Sequence, residues 1–165
     1  MYESLKEFSN IIISGPQRSG TRIAAKIISL DTGKTYIDEK EINFHDLRLL
    51  EWYLNKGNVV IQCPGLCHLL HNINNKSTLI ILIYRPIEEI IKSEDRINWP
   101  DEAKKIELFK YGHSCGIISK IKYDFWNSFQ KPLLGERARE INYNELKFHP
   151  LFIQDRESFK WDQTT

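Results

Sequence analysis

The sequence predicts an α/β domain in three layers, a mainly parallel sheet of about five strands with helices on both faces. Three observations carry that expectation. Short β-branched and apolar runs at 11–13, 35–37, 59–63 and 78–84 alternate with segments whose apolar residues recur at helical spacing. The longest run, Thr78-Leu79-Ile80-Ile81-Leu82-Ile83-Tyr84, is almost wholly apolar, as in a strand buried on both faces of a parallel sheet. Turn-forming residues and then a helical segment follow the principal runs, the order that right-handed β–α–β crossovers need.

Along the chain, residues 1–10 form a polar lead-in with room for one helical turn. Ile11-Ile12-Ile13 reads as a buried strand, followed by a loop from Gly15 to Gly20. Ile23, Ala24, Ile27 and Ile28 then share a helix face, and Gly33 sits in the usual place just past a helix end. Thr35-Tyr36-Ile37 is a short second strand. A second helix is expected from Asn43, because Phe44, Leu47, Leu50 and Leu54 are spaced for one face and Gly57 closes it. A third strand over 58–63 stops at Pro64-Gly65, and 66–73 reads as a short helix. After the strand at 78–84, Arg85-Pro86 leads into a helix over 87–96, with the proline near its first turn. A long polar helical region is expected from Pro100 to about Phe129, with Gly112 and Gly116 as breaks. Residues 139–143 read as the last strand and Asn144 onward as a short helix ended by Pro150. The tail shows no pattern, and no repeat or linker divides residues 1–165.

Composition narrows the function classes. Hydrophobic residues make up 41% and charged residues 27%, with a net charge of +1, so any anion site must be local rather than a general nucleic-acid or membrane surface. No apolar run approaches the roughly 20 residues of a membrane span. The start, Met1-Tyr2-Glu3-Ser4-Leu5-Lys6-Glu7, has no signal-peptide pattern. Three cysteines, Cys63, Cys67 and Cys115, are too few and odd in number for a disulfide framework, which implies reduced thiols and a cytoplasmic setting. Cys63 and Cys67 with His68 and His71 lack zinc-knuckle spacing, so no metal site is expected.

In a sheet of this kind, ligands sit at the carboxyl ends of the strands. The first strand ends in Ser14-Gly15-Pro16-Gln17-Arg18-Ser19-Gly20-Thr21-Arg22, a glycine-framed loop opening a helix, which is the geometry that points backbone N–H groups at a phosphate. The spacing resembles the P-loop pattern Gly-x-x-x-x-Gly-Lys-[Ser/Thr], yet Thr21 stands for the lysine and Arg22 for the magnesium-binding hydroxyl. The third strand ends in Gln62-Cys63, where magnesium-dependent P-loop enzymes carry an acid.

The order Arg18-Ser19-Gly20-Thr21 resembles the Lys/Arg-Ser-Gly-Thr loop of the P-loop sulfotransferases. That family's second motif, an arginine after a buried strand and a serine eight residues on, is matched by Arg85 and Ser93. Tyr143-Asn144-Glu145-Leu146 is similar to the segment that often follows the family's last core strand. The resemblance covers about 11–95, and the chain is short for the family, so its acceptor-binding insertions are reduced. It implies a compact domain that binds 3′-phosphoadenosine 5′-phosphosulfate and moves the sulfuryl group to a hydroxyl or amine on a small molecule or glycan, without a metal. Gly15, Gln17, Arg18, Ser19, Gly20, Thr21 and Arg22 would hold the 5′ end, and Arg85 and Ser93 the 3′-phosphate. Arg18 would also stabilise transition-state charge.

The acceptor needs a general base. The family draws it from a histidine after a strand or a glutamate after the second strand, so Glu39, then Glu41, then His68 are the candidates, with His45 nearby. Arg137, Arg139 or Arg156 is available for the adenine, and Trp99 for stacking. Two rival readings stay open: a P-loop nucleotide or small-molecule kinase with a degenerate loop, Asp95 and Arg96 forming part of its lid, and a nucleotide-binding module without catalysis.

Overall fold

The computed structural model describes residues 1–96 and 115–158. Five strands, β1 (Asn10–Ser14), β2 (Thr35–Ile37), β3 (Val59–Gln62), β4 (Thr78–Tyr84) and β5 (Ala138–Asn142), lie parallel in the order β2-β3-β1-β4-β5. Ile12 of β1 is in register with Ile61 on one side and Ile80 on the other. The unbroken apolar runs make sense in this arrangement, because alternate side chains enter two separate cores. Ile12, Ile61, Ile80 and Leu82 face one core with Leu50, Leu54 and Trp126; Ile11, Ile13, Val60, Leu79 and Ile81 face the other with Ala24, Ala25, Ile27 and Ile28.

Helix α1 (Thr21–Thr32) covers the second of these faces. It is capped by Gly20 at its start and by Gly33 at its end, whose positive φ of 74° lets its N–H bond the Ser29 carbonyl. Helices α2 (Leu47–Lys56) and α3 (Ile87–Arg96) bring Leu50, Leu54 and Ile90 to the first face. Helix α4 (Cys115–Phe125) packs on α3, and a π-helical turn (Trp126–Gln130) then leads into α5 (Lys131–Leu134). After β5 come α6 (Tyr143–Leu146) and α7 (Pro150–Ser158).

Several boundaries differ from the sequence expectation. The second helix starts at Leu47, not Asn43: Asn43 and Phe44 have φ of 50° and 65°, and the Asp46 carboxylate caps the N–H groups of Arg48 and Leu49. Phe44 matched the helical period but is exposed. Residues 66–73 are not one helix; tight 3₁₀ turns form at Pro64–Leu66 and Leu70–Asn72. Gly116 does not break α4. A Cβ there would meet Ile91 Cδ1 at 2.7 Å, so the glycine lets α4 approach α3 closely. Pro150 opens α7 instead of ending the helix before it, since a proline at the first helical position loses no bond. Trp99, Gly112 and the rest of 97–114 lie outside the described residues.

Candidate functional site

The parallel sheet puts the exits of all five strands on one edge, and the loop after β1 occupies its centre. Ser14 Oγ–H donates to the Cys63 carbonyl at 2.9 Å, tying the end of β1 to the chain leaving β3. Two glycines shape the loop. A Cβ on Gly15 would lie 2.6 Å from Ser19 Oγ and 3.0 Å from the Ile83 carbonyl, so only glycine fits at its base. Gly20 has φ of 100°, and a Cβ on it would lie 2.5 Å from the Tyr143 ring. Arg18 adopts φ of 65°, unusual for a residue with a side chain. The turn closes through Ser19 N–H to the Pro16 carbonyl at 3.1 Å, and α1 begins at Thr21 with its positive dipole end toward the cleft.

The strained Arg18 is held from β4. Arg85 Nη1–H donates to the Arg18 carbonyl at 2.9 Å, and Arg18 Nε–H donates to Ser93 Oγ at 3.0 Å. Two segments about seventy residues apart thus meet in one hydrogen-bonded group. Arg85 is itself fixed on several sides. Its Nε–H bonds the Glu89 carboxylate at 3.3 Å, its guanidinium lies 3.9 Å from the Tyr143 ring centroid, and its backbone N–H donates to the Tyr123 hydroxyl at 3.0 Å. Burial pushes the Tyr123 phenol up, so it stays a neutral hydroxyl that donates onward to the Ile83 carbonyl.

On the other flank, Glu39 follows β2 in a 3₁₀ turn. Its side chain is only 12% exposed, its Oε1 is 3.8 Å from Arg22 Nη2, and its Oε2 has no hydrogen-bond partner. Burial pushes the Glu39 carboxyl above the ordinary range, against the pull of Arg22. Arg22 Nε also lies 3.5 Å from Asp38, which accepts a 2.7 Å bond from the Tyr36 hydroxyl. Burial works against the Asp38 carboxylate, but that bond, the Lys40 N–H and Arg22 outweigh it and hold its pKa down. Gln62, the last residue of β3, is buried; its Nε2–H donates to Thr21 Oγ1 at 2.9 Å, and its Oε1 accepts from the Glu39 N–H at 3.4 Å.

Between these two flanks lies a cavity of about 630 Å³, within the size range of small-molecule sites. Of the sequence candidates, Gln17, Arg18, Gly20, Thr21, Arg22, Glu39, Arg85 and Ser93 line it. Gly15 and Ser19 are buried under the loop, where Ser19 Oγ has no partner. Glu41 and His68 are exposed and lie outside the cavity wall. Arg137 belongs elsewhere: it donates to the Ile73 and Asn75 carbonyls ahead of β4, at the opposite edge of the sheet, and Arg139 lies over the Phe8 ring. The side chain of Arg156 is outside the described residues.

Sequence reasoning gave too little weight to Tyr143, Gln62, Lys92 and Lys147, all in the wall. Their signal was present. Tyr143 directly follows a strand, Gln62 ends one, and Lys92 and Arg96 stand one helical turn apart beside Ser93. With Lys92, Arg96 and Lys147 added, lining cations outnumber lining carboxylates by about two to one in a chain of net charge +1. The excess positive charge is therefore concentrated at the cleft.

No protein-family model matches the chain, and no curated protein matches its sequence. Among solved structures, shikimate kinase from Acinetobacter baumannii in complex with shikimate is similar, with a TM-score of 0.52 and 11% identity over 96% of this chain and 100% of that one. The likeness shows the fold: a parallel five-stranded sheet flanked by helices, with a glycine-framed loop after its first strand.

Proposed function

We propose that the cleft binds 3′-phosphoadenosine 5′-phosphosulfate and that the protein transfers its sulfuryl group to a hydroxyl or amine acceptor. One observation carries the reading: the Arg18 loop and the Arg85–Ser93 pair form a single hydrogen-bonded group in a cationic cavity. A donor with charged groups at both ends of its ribose needs two anion sites in one cleft. Arg18, Thr21 and the backbone N–H groups of the loop would hold the 5′ end, with the unpartnered Ser19 Oγ beneath; Arg85 and Ser93 would hold the 3′-phosphate. Arginine suits that place because its planar fork stays charged and can bond two phosphate oxygens.

In the reaction, the acceptor oxygen or nitrogen forms a bond to sulfur as the bond from sulfur to the phosphate oxygen breaks. Adenosine 3′,5′-bisphosphate leaves, and the acceptor proton passes to Glu39. Glu39 is suited to receive it, being buried in the cavity wall with a raised pKa and a carboxylate oxygen without a partner. Arg18 offsets charge that develops on the leaving oxygens.

A second reading, phosphoryl transfer, is favoured by the fold shared with shikimate kinase. The residues at the loop speak against it: Thr21 and Arg22 occupy the lysine and magnesium-hydroxyl places, and Gln62 the strand-end acid. Incubation with labelled sulfuryl donor and a panel of hydroxyl and amine acceptors tests the proposal. The expected result is labelled product from the wild type and a loss of roughly 10²–10⁴ in kcat for Glu39→Gln, with donor affinity retained. Transfer from ATP with magnesium, and none from the sulfuryl donor, would overturn it.

A further inference from the structure

Gln62 and Thr21 carry an inference that rests on the proposed function and deepens it. The orientation of the Gln62 amide is set by its neighbours. The Glu39 backbone N–H can only donate, so the group it faces is Oε1, which leaves Nε2–H pointing at Thr21 Oγ1 2.9 Å away. Both side chains are nearly buried, at 3% and 6% exposure, which keeps bulk water from competing for the bond. A hydroxyl has one proton and two lone pairs. Having accepted from Gln62, Thr21 keeps its proton for a ligand in the cavity that both residues line.

An acid at the end of β3 would reverse this polarity. A carboxylate accepts the hydroxyl proton, turns the oxygen lone pairs toward the cleft and adds a negative charge, which together favour a hard cation. The amide does the opposite. It adds no charge and leaves the hydroxyl a donor, which suits an anionic oxygen placed directly on the loop. We infer that Gln62 is a specificity-determining residue: by donating to Thr21 it sets the loop to bind its anion bare, not as a magnesium complex. Arg22 takes the place of a metal ligand and lies against Asp38 and Glu39, so the nearby carboxylates already face a protein cation.

Calorimetry with adenosine 3′,5′-bisphosphate and with ATP, each in EDTA and in excess magnesium, tests the inference on wild type and Gln62→Glu. The wild type should bind the bisphosphate equally in both conditions. Gln62→Glu should bind it at least about tenfold more weakly in EDTA, because a charge now faces the anion, and magnesium should restore much of the loss. Thr21→Val, which removes the donated proton while keeping the shape, should weaken the bisphosphate about tenfold in either condition. Circular dichroism and a melting curve establish that each variant is folded.

Wild-type binding of the bisphosphate that magnesium strengthens tenfold or more overturns the inference without any variant. So does a folded Gln62→Glu with wild-type affinity and no magnesium dependence. In both cases the bisphosphate still binds, and the proposed function stands. Wild-type binding of magnesium–ATP with no bisphosphate binding removes the proposed function itself, and this inference with it.

Discussion

At the scale of single residues, the site depends on positions that combine structural and chemical roles. Gly20 is the tightest case: its φ is 100° and a Cβ would enter the Tyr143 ring. Gly20→Ala should cost about 1–3 kcal/mol in urea unfolding and displace the loop enough to weaken anion binding. Glu39 carries a stability penalty with its proposed chemistry. Its folded-state pKa lies above the unfolded value, so the folded chain holds the extra proton between the two. Stability therefore falls as pH rises through that window and stays lower at neutral pH. Glu39→Gln should melt higher than wild type near pH 7.5, with the advantage shrinking below the unfolded carboxylate value, while transfer is lost. Arg85→Ala should weaken adenosine 3′,5′-bisphosphate much more than adenosine 5′-phosphate; equal losses would show that Arg85 does not read the 3′-phosphate. At this scale the sequence revealed charge and hydroxyl through the spacing of Arg18, Thr21, Arg85 and Ser93. It ranked Glu39 ahead of Glu41 but did not show what distinguishes them, the burial of one and the exposure of the other.

At the scale of elements, helix ends and their anchors decide which groups reach the cleft. Phe152 of α7 lines the cavity and meets Tyr143 edge to face, with ring centroids 5.8 Å apart. Helix α7 is moored by His149, whose Nδ1 accepts the Leu151 N–H at 3.1 Å and whose Nε2–H faces Asp31 at the end of α1, 2.9 Å away. Burial works against the Asp31 carboxylate, but the bonds from His149, the Tyr2 N–H and the terminal amine outweigh it and hold its pKa down. Its contribution is therefore full above the unfolded carboxylate value and is lost as pH falls through the lower folded value. Asp31→Asn should destabilise the protein by about 1–3 kcal/mol at pH 7, with the deficit closing in strong acid. A constant deficit across urea titrations from pH 7 to pH 3 would contradict that account. The sequence showed all five strands but misplaced several helix ends. Phe44 fell in helical phase by coincidence, and Pro150 stops and starts helices by the same missing N–H. Local pattern does not choose between those roles; packing does.

At the scale of the whole molecule, the parallel order β2-β3-β1-β4-β5 turns five separate strand ends into one cleft wall. Glu39 after β2, Gln62 at the end of β3, the Arg18 loop after β1, Arg85 after β4 and Tyr143 after β5 stand in that spatial order. Alternation of strand and helix made this layout legible, because right-handed crossovers leave one edge for every strand exit. Which ligand the cleft takes is not a property of the fold, since shikimate kinase shares it. No described helix is long and apolar enough to cross a membrane. The most direct measurement is calorimetric titration of the wild-type protein with adenosine 3′,5′-bisphosphate and, separately, with ATP plus magnesium. The account predicts saturable, one-site binding of the bisphosphate and far weaker binding of magnesium–ATP. Tight magnesium–ATP binding with no heat from the bisphosphate would contradict it.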